Sequence, residues 1–167
     1  MALIVEDGTI VANANSYVDL AAVRAYASLR GITLPSADPD LEKHVHLAMD
    51  WFESEDFPSA RLDATQSLSF PRDAIVVDGV RYMEGAIPPI VKQIICEAAC
   101  TSVTIALQPQ FAGSSLGQLR RKKVDVLEKE YFPAQGTSSY MPILAKLDAL
   151  MQKLLYADGF RLTVLRA

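Results

Sequence analysis

A chain of 167 residues with 50% apolar and 22% charged residues is long enough to bury a core without disulfide staples, and its composition is that of an ordinary globular protein. The net charge of −4 excludes a general attraction to nucleic acid, so any such contact has to come from a local cluster. Two cysteines and two histidines far from them in sequence leave no zinc-like spacing, and MALIVEDG lacks the basic start of a signal peptide. A reducing cytoplasm is the expected compartment.

Residues 1–16 read as an extended arm: a short apolar run Leu3–Val5, the turn signal Glu6-Asp7-Gly8, then a polar stretch to Ser16. Asn15 or Ser16 is the expected cap of a first helix from Tyr17 to about Arg30, with Ser16 and Asp19 in capping-box spacing and Gly31 as the stop. That helix is rich in alanine (Ala21, Ala22, Ala25, Ala27), which lets another helix approach closely. Asp38-Pro39 opens a second helix running to about Glu53. Leu41, Val45, Ala48, Met49 and Phe52 form its apolar face, with His44 and Trp51 at the edge and His46 on the polar side. Residues 56–85 are the least helical part. Asp78-Gly79 between two β-rich runs predicts a ribbon at about 74–77 and 80–83.

Pro88 and Pro89 then start the helix around which the chain is organised, ending before Gln108-Pro109. Gln93, Glu97, Thr101, Thr104 and Gln108 make a polar strip. Val91, Ile94, Ile95, Ala98, Ile105 and Ala106 cover one side, and Cys96, Cys100, Val103 and Leu107 form a second apolar stripe. A helix with two stripes is the centre of a bundle, or is covered by a partner on its second side. Lys92, Glu97 and several hydroxyl side chains interrupt the run too often for a membrane span.

Residues 108–139 read as a Gly/Ser loop followed by an extended, exposed strand over Arg120–Phe132, with a basic start (Arg120, Arg121, Lys122, Lys123) and an acidic end (Glu128, Glu130) before Tyr131. Four consecutive cations fit phosphates or an acidic partner surface; on charge alone a solvated boundary, paired with Glu128 and Glu130 of a neighbouring strand, is the simpler account. Residues 140–167 hold a clean amphipathic helix, about Met141–Tyr156, stopped by Asp158-Gly159, then a short strand or docked tail, FRLTVL.

The expected fold is mainly α: a small bundle of about four helices with a short β-ribbon and an extended strand in the C-terminal half, in one domain spanning 1–167. No catalytic, cofactor or metal site is expected. There is no glycine-rich phosphate loop and no G-x-S-x-G elbow. A pairing of His44 with Cys96 or Cys100 would place the nucleophile in a helix expected to be buried.

Four segments in order carry a family resemblance. They are Val5-Glu6-Asp7-Gly8-Thr9 with Ala12 to Val18; Gln66-Ser67-Leu68-Ser69-Phe70-Pro71-Arg72 with Asp78-Gly79, Ile87-Pro88 and Glu97-Ala98-Ala99; Arg121-Lys122-Lys123-Val124 leading to Glu128-Lys129-Glu130-Tyr131; and the leucine-rich last helix. Together they resemble the head-to-tail adaptor or connector proteins of tailed bacteriophages, whose relatives are often catalogued as DnaT-like single-stranded DNA-binding proteins. Asp125 stands where that family usually has glycine.

The resemblance implies a non-enzymatic virion protein of the head–tail neck, assembled in the host cytoplasm. It implies a dodecameric ring of neighbouring copies beneath the portal protein, a lumen passing genomic double-stranded DNA, and a tail-side neck or tail-completion partner. No membrane, cofactor or small-molecule substrate is implied. On this reading Arg120, Arg121, Lys122, Lys123, Glu128, Glu130 and Tyr131 contact a partner or the DNA channel, and Cys96, Cys100, Val103 and Leu107 face a neighbouring subunit. The alternative is a DnaT-like single-stranded DNA-binding protein of replication.

Overall fold

The computed structural model describes residues 2–73, 75–107, 121–124, 127–130 and 144–155, with backbone alone for 121–124 and 127–130. The chain divides into two units, Met1–Leu107 with Leu144–Ala167, and Gln108–Ile143. The first is a helical bundle with a ribbon. The second contains an antiparallel strand pair.

In the helical unit, α1 (Leu20–Ser28), α2 (Asp38–Glu53), α3 (Pro89–Ser102) and α4 (Ala145–Leu155) follow the expected order. α3 is the centre, packed against α1, α2 and α4. Its Val91, Ile94, Ile95, Ala98 and Ala99 are fully enclosed. Burying each of the larger side chains contributes about 1.5–3 kcal/mol. Pro88 is the N-cap residue and a proline opens the helix, as the missing N–H allows.

The helix ends earlier than the apolar pattern predicts. The Ser102 hydroxyl donates to the Ala99 carbonyl and the Thr104 hydroxyl to the Thr101 carbonyl. Hydroxyl side chains compete for backbone partners and loosen the last turn. Ile105 and Ala106, expected on the covered side, are therefore exposed.

The start of α1 also differs. Asp19 is its cap, its Oδ1 accepting from the Ala22 N–H at 2.7 Å. Ser16 instead turns inward, accepting from the Val18 N–H and donating to the Val18 carbonyl. α2 starts one residue before the expected Pro39, behind an Ala37 cap without a side-chain bond. Arg24 of α1 organises that start by donating to the Pro35 and Ser36 carbonyls and to Asp38. Trp51 is buried, not at the edge of the apolar face, and His46, expected on the polar side, is half-buried with Nε2 enclosed and unpartnered.

The ribbon forms as expected. β1 (Ile75–Val77) pairs antiparallel with β2 (Val80–Tyr82) in the register Ile75↔Tyr82 and Val77↔Val80. Asp78 and Gly79 between them have φ of 49° and 78°. Two positive φ angles make the tight turn that suits twisted strands.

In the second unit, the single extended strand expected over Arg120–Phe132 is corrected. β3 (Arg121–Val124) and β4 (Leu127–Glu130) fold back on each other, with Arg121↔Glu130, Lys122↔Lys129, Lys123↔Glu128 and Val124↔Leu127 opposed. Two of the three charged pairs, Arg121↔Glu130 and Lys123↔Glu128, set acidic residue types across from basic ones, which favours pairing over a lone strand, while Lys122↔Lys129 sets like charges opposite. Arg120, Tyr131, the loop 108–119, the opening of the last helix at 141–143 and the 160–165 tail lie outside the described residues.

Candidate functional site

The residues that carry the resemblance can be followed one at a time. Glu6 is 1% exposed, and its carboxylate accepts from the N–H groups of Gly8, Ile10 and Val11 at 2.8, 3.1 and 2.8 Å. It is the hub of the 6–11 loop. Gly8 closes that loop against the segment after the ribbon. With φ of 106°, a Cβ there would sit 2.5 Å from the Gly85 carbonyl oxygen. Asn15 accepts from the Ile4 N–H and donates to the Ala2 carbonyl, and the arm bridges Val5 to Ser16.

Tyr17 is fully buried and joins three segments. Its hydroxyl donates to Glu53 at 2.8 Å and accepts from the Phe70 N–H at 2.8 Å. The other Glu53 oxygen accepts from the N–H and hydroxyl of Ser69 at 2.9 and 2.6 Å. Burial and the neighbouring Glu53 charge both push the Tyr17 hydroxyl far above its ordinary range, so it stays a proton donor. Gln66 donates to the Leu68 and Pro71 carbonyls. Arg72 is buried over the Phe57 and Phe70 rings with Nη1 donating to the Ser59 carbonyl. Burial and the charge of Arg61 lower its pKa.

Glu97 was expected on a polar strip. It is buried instead, its Oε2 taking the Tyr26 hydroxyl at 2.7 Å and the Lys146 ammonium at 2.6 Å. Burial raises the Glu97 pKa, but the bonds from Lys146 and Tyr26 and the charges of Lys146 and Arg30 outweigh it, and the net shift is downward. One carboxylate thus ties α1, α3 and α4 together.

Of the residues expected at a subunit interface, Cys96, Cys100 and Leu107 are buried within the chain itself, and Val103 is half-buried just past the end of α3. The bundle accounts for the second stripe without a neighbour; a subunit contact there would first have to uncover these side chains. Burial pushes the Cys96 thiol up to about 12 and the Cys100 thiol to about 11. Both are protonated at neutral pH and are poor nucleophiles. His44 does not pair with them. Its Nδ1 lies 2.8 Å from the Ser102 hydroxyl, which also lies 2.8 Å from the Ala99 carbonyl.

Of the residues expected to contact a partner, Arg121, Lys122 and Lys123 lie on β3 and Glu128 and Glu130 on β4. The structure therefore brings the cationic run and the acidic run together on one hairpin. Among the described residues no group of three His, Cys, Asp or Glu is placed to hold a metal ion. No described helix is long and apolar enough to cross a membrane. Among the described residues the aromatic rings are also withheld: Tyr17, Trp51, Phe52, Phe57 and Phe70 are buried, and Tyr26 and Tyr82 are half-buried.

The profile of a family described as "Putative DnaT-like ssDNA binding protein" matches residues 1–167. No curated protein and no solved structure matches the chain. The chain belongs to that family.

Proposed function

We propose that this family member is a structural adaptor of the tailed-phage neck, a non-enzymatic ring subunit that binds beneath the portal protein, surrounds the passing double-stranded DNA and docks the next tail-side component. One observation carries the reading. The motif side chains of the helical unit are consumed by its own fold, while a separate unit, Gln108–Ile143, holds a hairpin of opposed cationic and acidic residues. A chain whose motif side chains in the helical unit go mostly to rigidity, with a charged hairpin besides, suits a role carried by interfaces. Mixing the protein with purified portal rings tests it by mass photometry. Added mass equal to a ring of chain copies is expected, and its absence overturns the reading. The triple variant Arg121→Glu, Lys122→Glu, Lys123→Glu is expected to leave portal rings bare.

The second reading is single-stranded DNA binding, favoured by the family's description and by the cationic strand β3. Such binding needs exposed rings on which bases stack beside a basic track. The described aromatic residues offer no exposed ring, and the net charge is −4. Anisotropy of a labelled oligothymidine at low salt separates the two. Salt-sensitive micromolar binding would favour the second reading, and no binding would remove it.

A further inference from the structure

The alanine face of α1 is only half used. Val23 and Ala27 are buried, but Ala22 and Ala25 face outward, and Leu29 is 85% exposed. Ala22 and Ala25 form one wall of an open groove of about 410 Å³ whose other wall is the start of α3, with Cys96 at its base. Two cations stand on its rim. Arg30 is held in place, its guanidinium 3.5 Å above the Tyr26 ring and its Nη1 donating to the Tyr26 carbonyl at 3.2 Å. That leaves the rest of its planar fork open to an acceptor. Lys92 is exposed on the opposite wall.

Neither cation makes an ion pair with a described residue. The carboxylates whose charge reaches them are occupied. Glu97, which feels Arg30, holds Tyr26 and Lys146, and Asp7, which feels Lys92, accepts from Thr9. Asp19, also on the rim, caps α1. An apolar trough between two cations that have no ion-pair partner among the described residues is complementary to one kind of chain: an apolar side chain flanked by carboxylates.

We propose that the α1–α3 groove docks a short acidic segment of a partner protein. An apolar side chain sits against Ala22 and Ala25, one carboxylate takes the Arg30 fork, and a second meets Lys92. The proposal does not rest on the adaptor reading. The basic residues of this chain's own C-terminal stretch, Arg161 and Arg166, suit this rim poorly.

The probe is a labelled helical peptide with two leucines one turn apart flanked by glutamates, compared by anisotropy with the same peptide flanked by lysines. On the full-length protein the acidic peptide is expected to bind at least about tenfold more tightly. Arg30→Glu with Lys92→Glu should reverse that order. Ala25→Trp fills the trough from an exposed position and should weaken the acidic peptide by about tenfold or more at an unchanged Tm. Equal binding of the two peptides, no binding of either, or binding indifferent to Ala25→Trp overturns the proposal. So does displacement of the acidic peptide by a synthetic 156–167 peptide, which would give the groove to the chain's own tail. Concentration-dependent self-association that Ala25→Trp abolishes would give it to a second copy and overturn it equally.

Discussion

The helical unit and the hairpin unit use charged and polar residues in opposite ways. In the first, Glu6, Tyr17, Glu53, Gln66, Arg72 and Glu97 point inward and hold loops and helices to one another. All but Arg72, whose Nη1 has the Ser59 carbonyl while its buried Nε has no partner among the described residues, satisfy two or more partners at once and are costly to remove. In the second, four consecutive positions of one strand oppose four of the other, with Arg121 and Lys123 set across from Glu130 and Glu128. The contrast teaches that the residues by which the chain is recognised as a family member are, in the helical unit, mostly parts of the scaffold. A search for function among them finds architecture.

Substitutions can break this contrast or sharpen it. The largest effect is expected from Glu6→Ala, which strips the acceptor from three backbone N–H groups. A loss of about 3 kcal/mol is expected, read as a drop of roughly 10 °C in Tm. Gly8→Ala should cost about as much, since both its φ and the Gly85 carbonyl forbid a Cβ. Tyr17→Phe comes next. It leaves the Phe70 N–H and one Glu53 oxygen short of a partner, costing about 2 kcal/mol in urea unfolding.

Lys146→Met should cost about 1 kcal/mol at pH 7, because the ammonium it removes is half in water. It also tests a sign. The Glu97 pKa is lowered in the folded state, so its contribution is complete above its ordinary value of 4.5 and is lost as pH falls through the lower folded value. The variant should therefore show a shallower loss of stability with acid below about pH 4.5 than the parent in urea melts. The smallest effect is expected in the hairpin. Arg121→Glu with Lys123→Glu should change the stability of the helical unit by no more than about 0.5 kcal/mol in urea unfolding, while impairing portal binding.

How much was legible follows from which signals are local. The four helices and the ribbon were readable because apolar spacing, Pro88-Pro89 and Asp78-Gly79 each act within a few residues. β1–β2 announced itself by its turn. β3–β4 did not, since the two residues between the strands are Asp125 and Val126, and a glycine is the usual sign of a tight hairpin. The extended, charged character of Arg120–Phe132 was visible, but extension alone does not tell one strand from two. The burial of Glu6 and Glu97 could not be read either. A glutamate looks solvated until the partners that neutralise it are known, and for Glu97 these lie 71 and 49 residues away. Asp19 displaced Ser16 as the helix cap because Ser16 was needed inside, again a demand set by tertiary packing. The candidate site was legible as a cationic run set against Glu128 and Glu130 across strands; that the two strands form one hairpin was not.

Hydrogen exchange of the backbone amides with and without portal rings tests the central claim most directly. If the hairpin is the assembly element and the helical unit its scaffold, binding should slow exchange in Arg121–Val124 and Leu127–Glu130 and leave the core of α2 unchanged. Exchange in the hairpin that is the same with and without the portal would contradict the account.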